Sequence, residues 1–380
     1  MKIKVAIFGI KGRLGASISS LCNENPYFEV VGGVESKRTR LGEKKVELSL
    51  ADLWIDVSTS GLTDHLFLAR ELQKPIVIGT TGLSDEDHRQ IKETSHSVPV
   101  FYASNFSKGI FLLKQASKYG LQFGGDIDLI EAHHAQKKDR PSGTALSLAQ
   151  SLDSRQVHIH SLRAGSIRGE HTLQFTNGPE KLILSHEVLS RRVFAQGALD
   201  AARFLYETPL NLYSMNDLFA EEVYLGLGGN LGSPIDTLSA AIEKIKALEN
   251  VKVLKVSSFY RTSPVSDIPQ GDFINSALKL ITNLSPIELH YFLQEIEREL
   301  GNDIKEKNGP RHIDIDILLF GKREVQHPYL QIPHPRFKER LFVLKPLSEI
   351  VNNLSLSPTL SLEEHLKSFT NPHGETVTKV

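Results

Sequence analysis

The chain has 380 residues, more than one hydrophobic core usually serves, and its 44 basic and 45 acidic side chains leave a formal charge of −1. Without a basic tail or an acidic block it lacks the electrostatic footprint of a nucleic-acid or anionic-membrane binder. One cysteine, Cys22, excludes an intramolecular disulfide and fits a reducing compartment, and no apolar run approaches the length of a membrane span. Residues 1–8 are too short for a signal-peptide core, so a soluble, cytoplasmic protein of more than one domain is expected, with no nucleic-acid and no membrane partner.

Ile3–Phe8 reads as a strand, Gly9-Ile-Lys-Gly12-Arg-Leu-Gly15 as a glycine turn, and residues 16–24 as an amphipathic helix. In that context glycines let backbone N–H groups approach a pyrophosphate at a helix start. Phe28–Val34 is a second strand ending at Glu35, whose carboxylate suits ribose hydroxyls. Lys37, Arg38 and Arg40 follow and suit a 2′-phosphate, which leaves NADH and NADPH both open. Residues 54–57, 75–78 and 98–102 read as further strands, with a helix over 63–73. Gly79-Thr-Thr-Gly82 and Ala103-Ser-Asn-Phe106 follow the last two strands. The alternation predicts a doubly wound parallel sheet with its loops converging on one ligand crevice.

The densest chemistry lies in Glu131-Ala-His-His-Ala-Gln-Lys-Lys-Asp-Arg-Pro-Ser-Gly-Thr-Ala145. His133 and Lys137 are four apart, so they share a face on a helical turn or converge from an extended loop. Histidine exchanges protons near neutral pH and lysine holds an anion. Pro141–Thr144 reads as a turn opening a helix over 145–152, whose exposed N–H groups favour a carboxylate or phosphate. A proton donor beside an anion cradle describes an active site.

E-A-H-H-x-x-K-x-D-x-P-S-G-T-A resembles the signature of the dihydrodipicolinate (4-hydroxy-tetrahydrodipicolinate) reductase family of the diaminopimelate and lysine pathway, over residues 1–217. Gly169-Glu-His171 and the segment from Ser190-Arg191 to Gly197-Ala198 are similar to family segments. The resemblance implies a Rossmann-type domain, residues 1–105 and 196–218, with an inserted, mostly antiparallel substrate domain, residues 106–195, built from strands 156–166, 171–175 and 181–189. A helix over 197–206 would return to the nucleotide domain. It implies NADH or NADPH at Gly9, Gly12, Arg13, Leu14, Glu35, Gly79, Thr80, Thr81, Ala103, Ser104, Asn105 and Phe106. It implies His133 as proton donor, Lys137 as a second acid and carboxylate ligand, and substrate contacts at His134, Gly143 and Thr144. A homo-oligomer through the reductase half is expected. The region between Glu35 and Trp54 is short for the family, and Ser36 stands where some members carry arginine.

Residues 212–222 hold no proline- or glycine-rich linker. A new unit opens with Glu222-Val-Tyr-Leu-Gly-Leu-Gly-Gly-Asn-Leu-Gly-Ser233 and a helix over 234–248. Strands over 251–260 and 273–281, a helix over 286–300 and a last short helix over 361–369 follow, an α+β pattern. Asp314 and Asp316, two apart in Gly309-Pro-Arg-His-Ile-Asp-Ile-Asp-Ile-Leu-Leu-Phe320, project from one strand face. Hard oxygen ligands beside phosphate suit magnesium, with Arg311, His334 and Arg340 as donors to phosphate oxygens.

G-P-R-x-x-D-x-D-I-L-x-F with Pro333-His-Pro335, together with G-L-G-G-N-L-G and Ser258-Phe-Tyr-Arg-Thr262, resembles the hydroxymethyl-dihydropterin pyrophosphokinase family of folate synthesis, from about 223 to 349. This implies a ferredoxin-like domain, residues 222–370, with residues 371–380 a loose tail. It implies two Mg2+ ions on Asp314 and Asp316 and ATP at His334 and Arg340, with Arg311 catalytic. The pterin would stack between Phe273 and Phe342 and bond Thr262 and Asn275. Residues 301–308 read Gly-Asn-Asp-Ile-Lys-Glu-Lys-Asn, where the family carries arginines and a tryptophan. The expectation is a bifunctional enzyme acting on a cyclic dicarboxylate, a pterin and ATP. Its rivals are a reductase with a non-catalytic binding or scaffold module behind it, and a nicotinamide-binding sensor in the first half.

Overall fold

Two compact units, Met1–Leu218 and Phe219–Val380, divide the computed structural model. It describes residues 2–380 except 36–40, 153–155, 207, 266–267, 302–308, 352–353, 358–359 and 372–373. Lys37, Arg38, Arg40 and most of the loop before Gly309 therefore lie outside the described residues.

In the first unit the apolar runs become β1 (Ile3–Phe8), β2 (Phe28–Val34), β3 (Leu53–Asp56), β4 (Ile76–Ile78) and β5 (Val100–Tyr102). Every residue of β3 and β4 is buried, as strands covered on both faces require. Trp54 anchors the interior, its ring 5.1 Å from that of Phe8 and its Nε1–H given to the Leu48 carbonyl at 3.1 Å. Helices Arg13–Glu24, Leu41–Ser49, Leu62–Glu71, Asp85–Thr94 and Lys108–Gly120 alternate with these strands. Leu41–Ser49 and the last two went unread in the sequence. Asp85–Thr94 buries only Ile91 and Thr94, too few to draw an apolar stripe, and its Ser84–Asp87 capping box stands in for one.

A second sheet holds β6 (Asp126–His133), β7 (Val157–Arg163), β8 (Glu170–Asn177) and β9 (Glu180–Glu187) in the order β7-β6-β8-β9. The β6–β7 pair is parallel and the other two are antiparallel, so the sheet is mixed. Helix Arg192–Tyr206 then returns the chain to β10 (Leu212–Tyr213), which completes the parallel order β10-β5-β4-β3-β1-β2. On that helix Gly197 passes so close to the loop after β5 that a Cβ would lie 2.0 Å from the Phe106 carbonyl oxygen.

The second unit contains β11 (Glu221–Gly229), β12 (Val251–Val256), β13 (Tyr260–Thr262), β14 (Phe273–Thr282) and β15 (Asp314–Phe320). Short pairs β16 (Val325–His327) with β17 (Leu330–Ile332) and β18 (Ser355–Ser357) with β19 (Leu360–Ser361) follow, then β20 (Val377–Lys379). The main sheet runs β15-β11-β14-β13-β20, with β12 also on β14, all antiparallel. Val223, Leu225 and Leu227 of β11 pack with helices Pro234–Ala247 and Pro286–Glu299, whereas Tyr224 packs with helix Leu341–Ile350, so alternate residues feed two cores.

Two expectations change. The strand read over 251–260 breaks where the Ser257 hydroxyl accepts the Ala277 N–H at 2.9 Å and takes a place in the ladder. The tail read as loose forms β20 on β13, Val377 opposite Thr262, which covers an edge that would otherwise present unpaired amides. No helix of the described residues is long and apolar enough to cross a membrane.

Gly197→Ala should destabilise the first unit by about 1–3 kcal/mol, the usual cost of forcing an extra methyl into a packed contact. Urea unfolding reads this out. The same substitution at exposed Gly143, where a Cβ meets nothing within 4 Å, supplies the comparison.

Candidate active sites

In the first unit the loops that follow β1, β2, β4 and β5 carry the residues singled out for a cofactor. Gly9 has φ +82°, and the turn is so tight that a Cβ on Gly15 would fall 2.2 Å from the Gly9 oxygen. The turn feeds Gly12 into the N-cap position of Arg13–Glu24, where no side chain caps the helix, so the amides of Arg13 and Leu14 stand at its start. Glu35 follows β2 and pairs with Lys11 at 2.7 Å. Thr80 is buried and gives its hydroxyl to the Ser58 carbonyl at 3.0 Å, while Thr81 and Ser104 are exposed. Gly79 lies against the buried Phe106 ring, and Ala103 donates its amide to Ile78 at 3.0 Å. Asn105 gives its side-chain amide to the Thr144 hydroxyl at 3.1 Å, which ties the cofactor loop to the predicted substrate turn. Beneath these loops sits a pair the sequence reading missed: fully buried Asp56 takes His65 Nδ1 at 2.7 Å and the Ser58 amide at 2.9 Å.

His133 ends β6, which excludes the helical-turn arrangement: Lys137 lies in the following turn, its amide given to the His134 carbonyl at 3.0 Å. Strand alternation puts Glu131 on the His133 face, and parallel β7 brings Arg163 opposite His133. His133 Nδ1 bonds the Glu131 carboxylate. The other Glu131 oxygen accepts from Arg163 Nη2 at 2.7 Å and from the Ser142 amide at 3.3 Å. Burial alone would raise the Glu131 pKa; hydrogen bonds from Arg163, Ser161 and His133 overcome it and hold it at about 2. Burial lowers His133, against the pull of Glu131. His134 is lowered by desolvation and then by the nearby cations Arg191, Arg13 and Lys137, a surrounding that suits an anionic ligand.

Lys137 pairs with Asp139 at 2.9 Å, and Asp139 also lies against the Gly143 amide. Ser142 caps helix Gly143–Gln150 through the Ala145 amide at 3.2 Å, so the helix starts two residues before its predicted first residue, Ala145. His171 lies edge-on to His133 at 5.3 Å, buried, with neither ring nitrogen hydrogen-bonded, and burial pushes it down to about 4. Donor atoms of Glu131, His133 and His171 lie within 4.8 Å of one another, but the Arg163 guanidinium on Glu131 opposes a cation there. Glu131, Arg163 and His171 had not been assigned roles. The signal for Glu131 was the Glu-x-His spacing, readable once the segment is known to be a strand, whereas Arg163 and His171 are brought in only by strand pairing.

In the second unit Thr262, Phe273, Asn275, Arg311, Asp314, Asp316, His334, Arg340 and Phe342, all nine residues singled out there, line one cavity of about 240 Å³. Ser263, Val265, Gln270 and Arg336 line it too and were missed. Thr262 pairs with Phe273 across β13 and β14, and Asn275 donates to the Thr262 hydroxyl at 2.7 Å. Asp314 and Asp316 share a face of β15 directly opposite Gly228 and Gly226 of β11, which place no side chain beside the carboxylates. Between them the Ile315 amide donates to buried Glu297 at 2.6 Å. Arg311 pairs with Asp314 at 2.6 Å and lies 5.8 Å from the Phe273 ring; Arg340 lies 5.5 Å from the Phe342 ring. Burial, then Arg340, pushes His334 down to about 4, and its Nε2 is 3.9 Å from Asp316.

A doubly wound parallel sheet followed by a mixed sheet presenting a buried Glu–His pair defines the class of Rossmann-type two-domain reductases. Residues 3–106 match the family model of dihydrodipicolinate reductase, N-terminus, and residues 109–219 that of its C-terminus, and the chain belongs to the dihydrodipicolinate reductase family. Residues 224–352 match the model of 7,8-dihydro-6-hydroxymethylpterin-pyrophosphokinase. The 4-hydroxy-tetrahydrodipicolinate reductase of Caldanaerobacter subterraneus subsp. tengcongensis is 36% identical over 249 residues, 57% of this chain and 98% of that protein. That of Xanthomonas euvesicatoria pv. vesicatoria is 38% identical over 231 residues, 57% and 97% respectively. A solved dipicolinate-bound dihydrodipicolinate reductase from Paenisporosarcina sp. TG-14 shares the fold, with TM-score 0.50 and 23% identity over 56% of this chain and 98% of its own.

Held near 2, Glu131 stabilises the first unit fully above about 4.5, its ordinary value, and the contribution is lost as pH falls through about 2. Glu131→Gln, which strands Arg163, should cost about 3–5 kcal/mol at pH 7 and little at pH 2, measured by urea unfolding. His171 has the lowered value of a base kept neutral, so stability should also drop between pH 6.5 and 4, and His171→Phe should flatten that drop.

Proposed function

We propose that the chain is a bifunctional enzyme. Its first unit reduces 4-hydroxy-tetrahydrodipicolinate to tetrahydrodipicolinate with NADH or NADPH. Its second transfers pyrophosphate from ATP to 6-hydroxymethyl-7,8-dihydropterin with magnesium. The reductase reading is carried by the buried Glu131–His133 pair standing beside Lys137 and the capped helix start at Gly143. The second is carried by the convergence of stacking rings, paired carboxylates and cationic donors on one cavity.

In the reductase, the glycine turn and the amides at the start of Arg13–Glu24 hold the dinucleotide pyrophosphate. The nicotinamide supplies the hydride when bound. His133 gives a proton from Nε2, the nitrogen not engaged by Glu131, and the 4-hydroxyl leaves as water. Glu131 stabilises the imidazolium while burial and the nearby cations Lys137 and Arg163 weaken its hold on the proton. Lys137 exchanges Asp139 for a substrate carboxylate, which the Gly143 and Thr144 amides complete.

In the second unit Asp314 and Asp316 fit magnesium: hard oxygens on one face, with room opposite two glycines for water and phosphate ligands. The metal neutralises phosphate charge when bound. Arg311, Arg340 and His334 meet the phosphate oxygens as the pterin hydroxymethyl oxygen attacks the β-phosphorus and AMP leaves. Phe273 and Phe342 supply flat stacking surfaces, and Thr262 and Asn275 in-plane hydrogen bonds. We further propose self-association through the outer face of the mixed sheet, which Leu162 of β7 and Ile183 of β9, both more than half exposed, share with Ile130 of β6. Leu162→Glu with Ile183→Glu should lower the sedimentation mass.

A paired assay of the intact chain tests both activities. His133→Gln should cut tetrahydrodipicolinate formation by about two orders of magnitude or more and leave AMP release unchanged. Asp316→Ala should abolish AMP release and leave the reductase intact. A wild type that binds pterin but releases no AMP would make the second unit a binding module instead.

A further inference from the structure

Helix Leu341–Ile350 begins without a local cap. Its N-cap residue is Arg340, which carries no acceptor, and no side-chain cap bond forms there. Phe342 is in its first turn, so the Phe342 N–H has no partner within the helix. Pro346, four residues on, has no N–H to give to the Phe342 carbonyl. The helix therefore holds the backbone of this ring-bearing residue weakly on both sides.

The missing cap comes from 33 residues away. The Glu375 carboxylate, buried, accepts the Phe342 N–H at 3.0 Å. Glu375 is itself fixed: its amide donates to the Asn371 side-chain oxygen and its carbonyl accepts from the Asn371 side-chain amide, both at 3.0 Å. The next residue, Thr376, donates to the Ser263 hydroxyl at 3.0 Å and accepts the Ser263 amide at 3.2 Å, and β20 continues along β13. Lys379 ends the strand on Glu349 at 2.9 Å. One short segment thus grips two walls of the second cavity, the strand bearing Thr262 and Ser263 and the helix start bearing Arg340 and Phe342. The match to the pyrophosphokinase family model ends at residue 352, before this segment.

We propose that Glu375 is a positioning residue for the flat heteroaromatic ligand of this cavity. By capping the helix from the C-terminal segment, it sets how far Phe342 stands from the strand wall. The assignment rests on the pterin reading of the site. A carboxylate at the helix start also complements the helix dipole, so charge and hydrogen bond act together.

The test uses the full chain, with a 6-hydroxymethylpterin titrated by fluorescence, amide exchange at Phe342, and steady-state AMP release. Glu375→Leu should speed exchange at Phe342, weaken pterin binding about tenfold, roughly the worth of one lost cap, and raise KM for pterin with kcat within about twofold. Glu375→Gln keeps an acceptor and should bind within about twofold of wild type. Glu375→Asp, one methylene short, should fall between, and carries the test if Glu375→Leu fails to fold. Unchanged pterin affinity in folded Glu375→Leu or Glu375→Asp, despite faster exchange, would reduce the contact to a structural one and overturn the proposal. A wild type that does not bind pterin would overturn the site reading itself, and that result appears before any variant is made.

Discussion

Both sites depend on one constraint, the two-residue period of a strand. In β6 it sets Glu131 beside His133, and in β15 it sets Asp314 beside Asp316. The same geometry yields different chemistry because the neighbouring strands differ. Parallel β7 places Arg163 opposite His133, and its guanidinium takes one Glu131 oxygen while His133 takes the other. Both oxygens of that carboxylate are engaged within the protein. Against β15, Gly226 and Gly228 leave the carboxylate face without neighbouring side chains, and the cavity opens there.

The cations differ in how firmly they are held. Arg163 is 1% exposed, with Nη2 also on the Asp139 carbonyl, so it serves as a permanent counter-charge. Arg311 and Asp314 are about a quarter exposed and open to the cavity, where water screens the pair and a ligand can compete for either partner. A fixed pair suits a group that must keep one orientation. An exchangeable pair suits a site that must admit a charged ligand.

Much of this was legible from residue order. The glycine turn, the β-branched runs and the i, i+2 aspartates have local causes, and the parallel sheet and the lined cavity follow from them. What escaped was set by distance or by missing contrast. Helix Asp85–Thr94 is polar almost throughout and carries no apolar stripe. Asp56 and His65 are nine residues apart in different elements, and nothing local marks them as partners. Arg163 gains meaning only when parallel pairing brings it 30 residues back to His133. Residues 371–380 contain asparagine, proline and glycine and read as unstructured, but β13 offered an open edge and the segment pairs with it.

A shared device steadies the backbone at the ends and outer edges of the elements that carry the residues singled out. Glu131 accepts the Ser142 amide, Glu297 the Ile315 amide and Glu375 the Phe342 amide. Each amide lies where regular structure leaves it a poor partner: the residue before a helix, the outer strand of a sheet, the first turn of a helix. Each belongs to or adjoins a residue singled out for chemistry: Gly143, Asp314 with Asp316, and Phe342. An unpaired buried amide costs about 1–3 kcal/mol, and a charged acceptor forms the stronger kind of bond. A distant buried carboxylate therefore steadies the backbone where secondary structure cannot. Because the acceptor comes from elsewhere in the chain, the local segment stays free to present its side chain to a ligand.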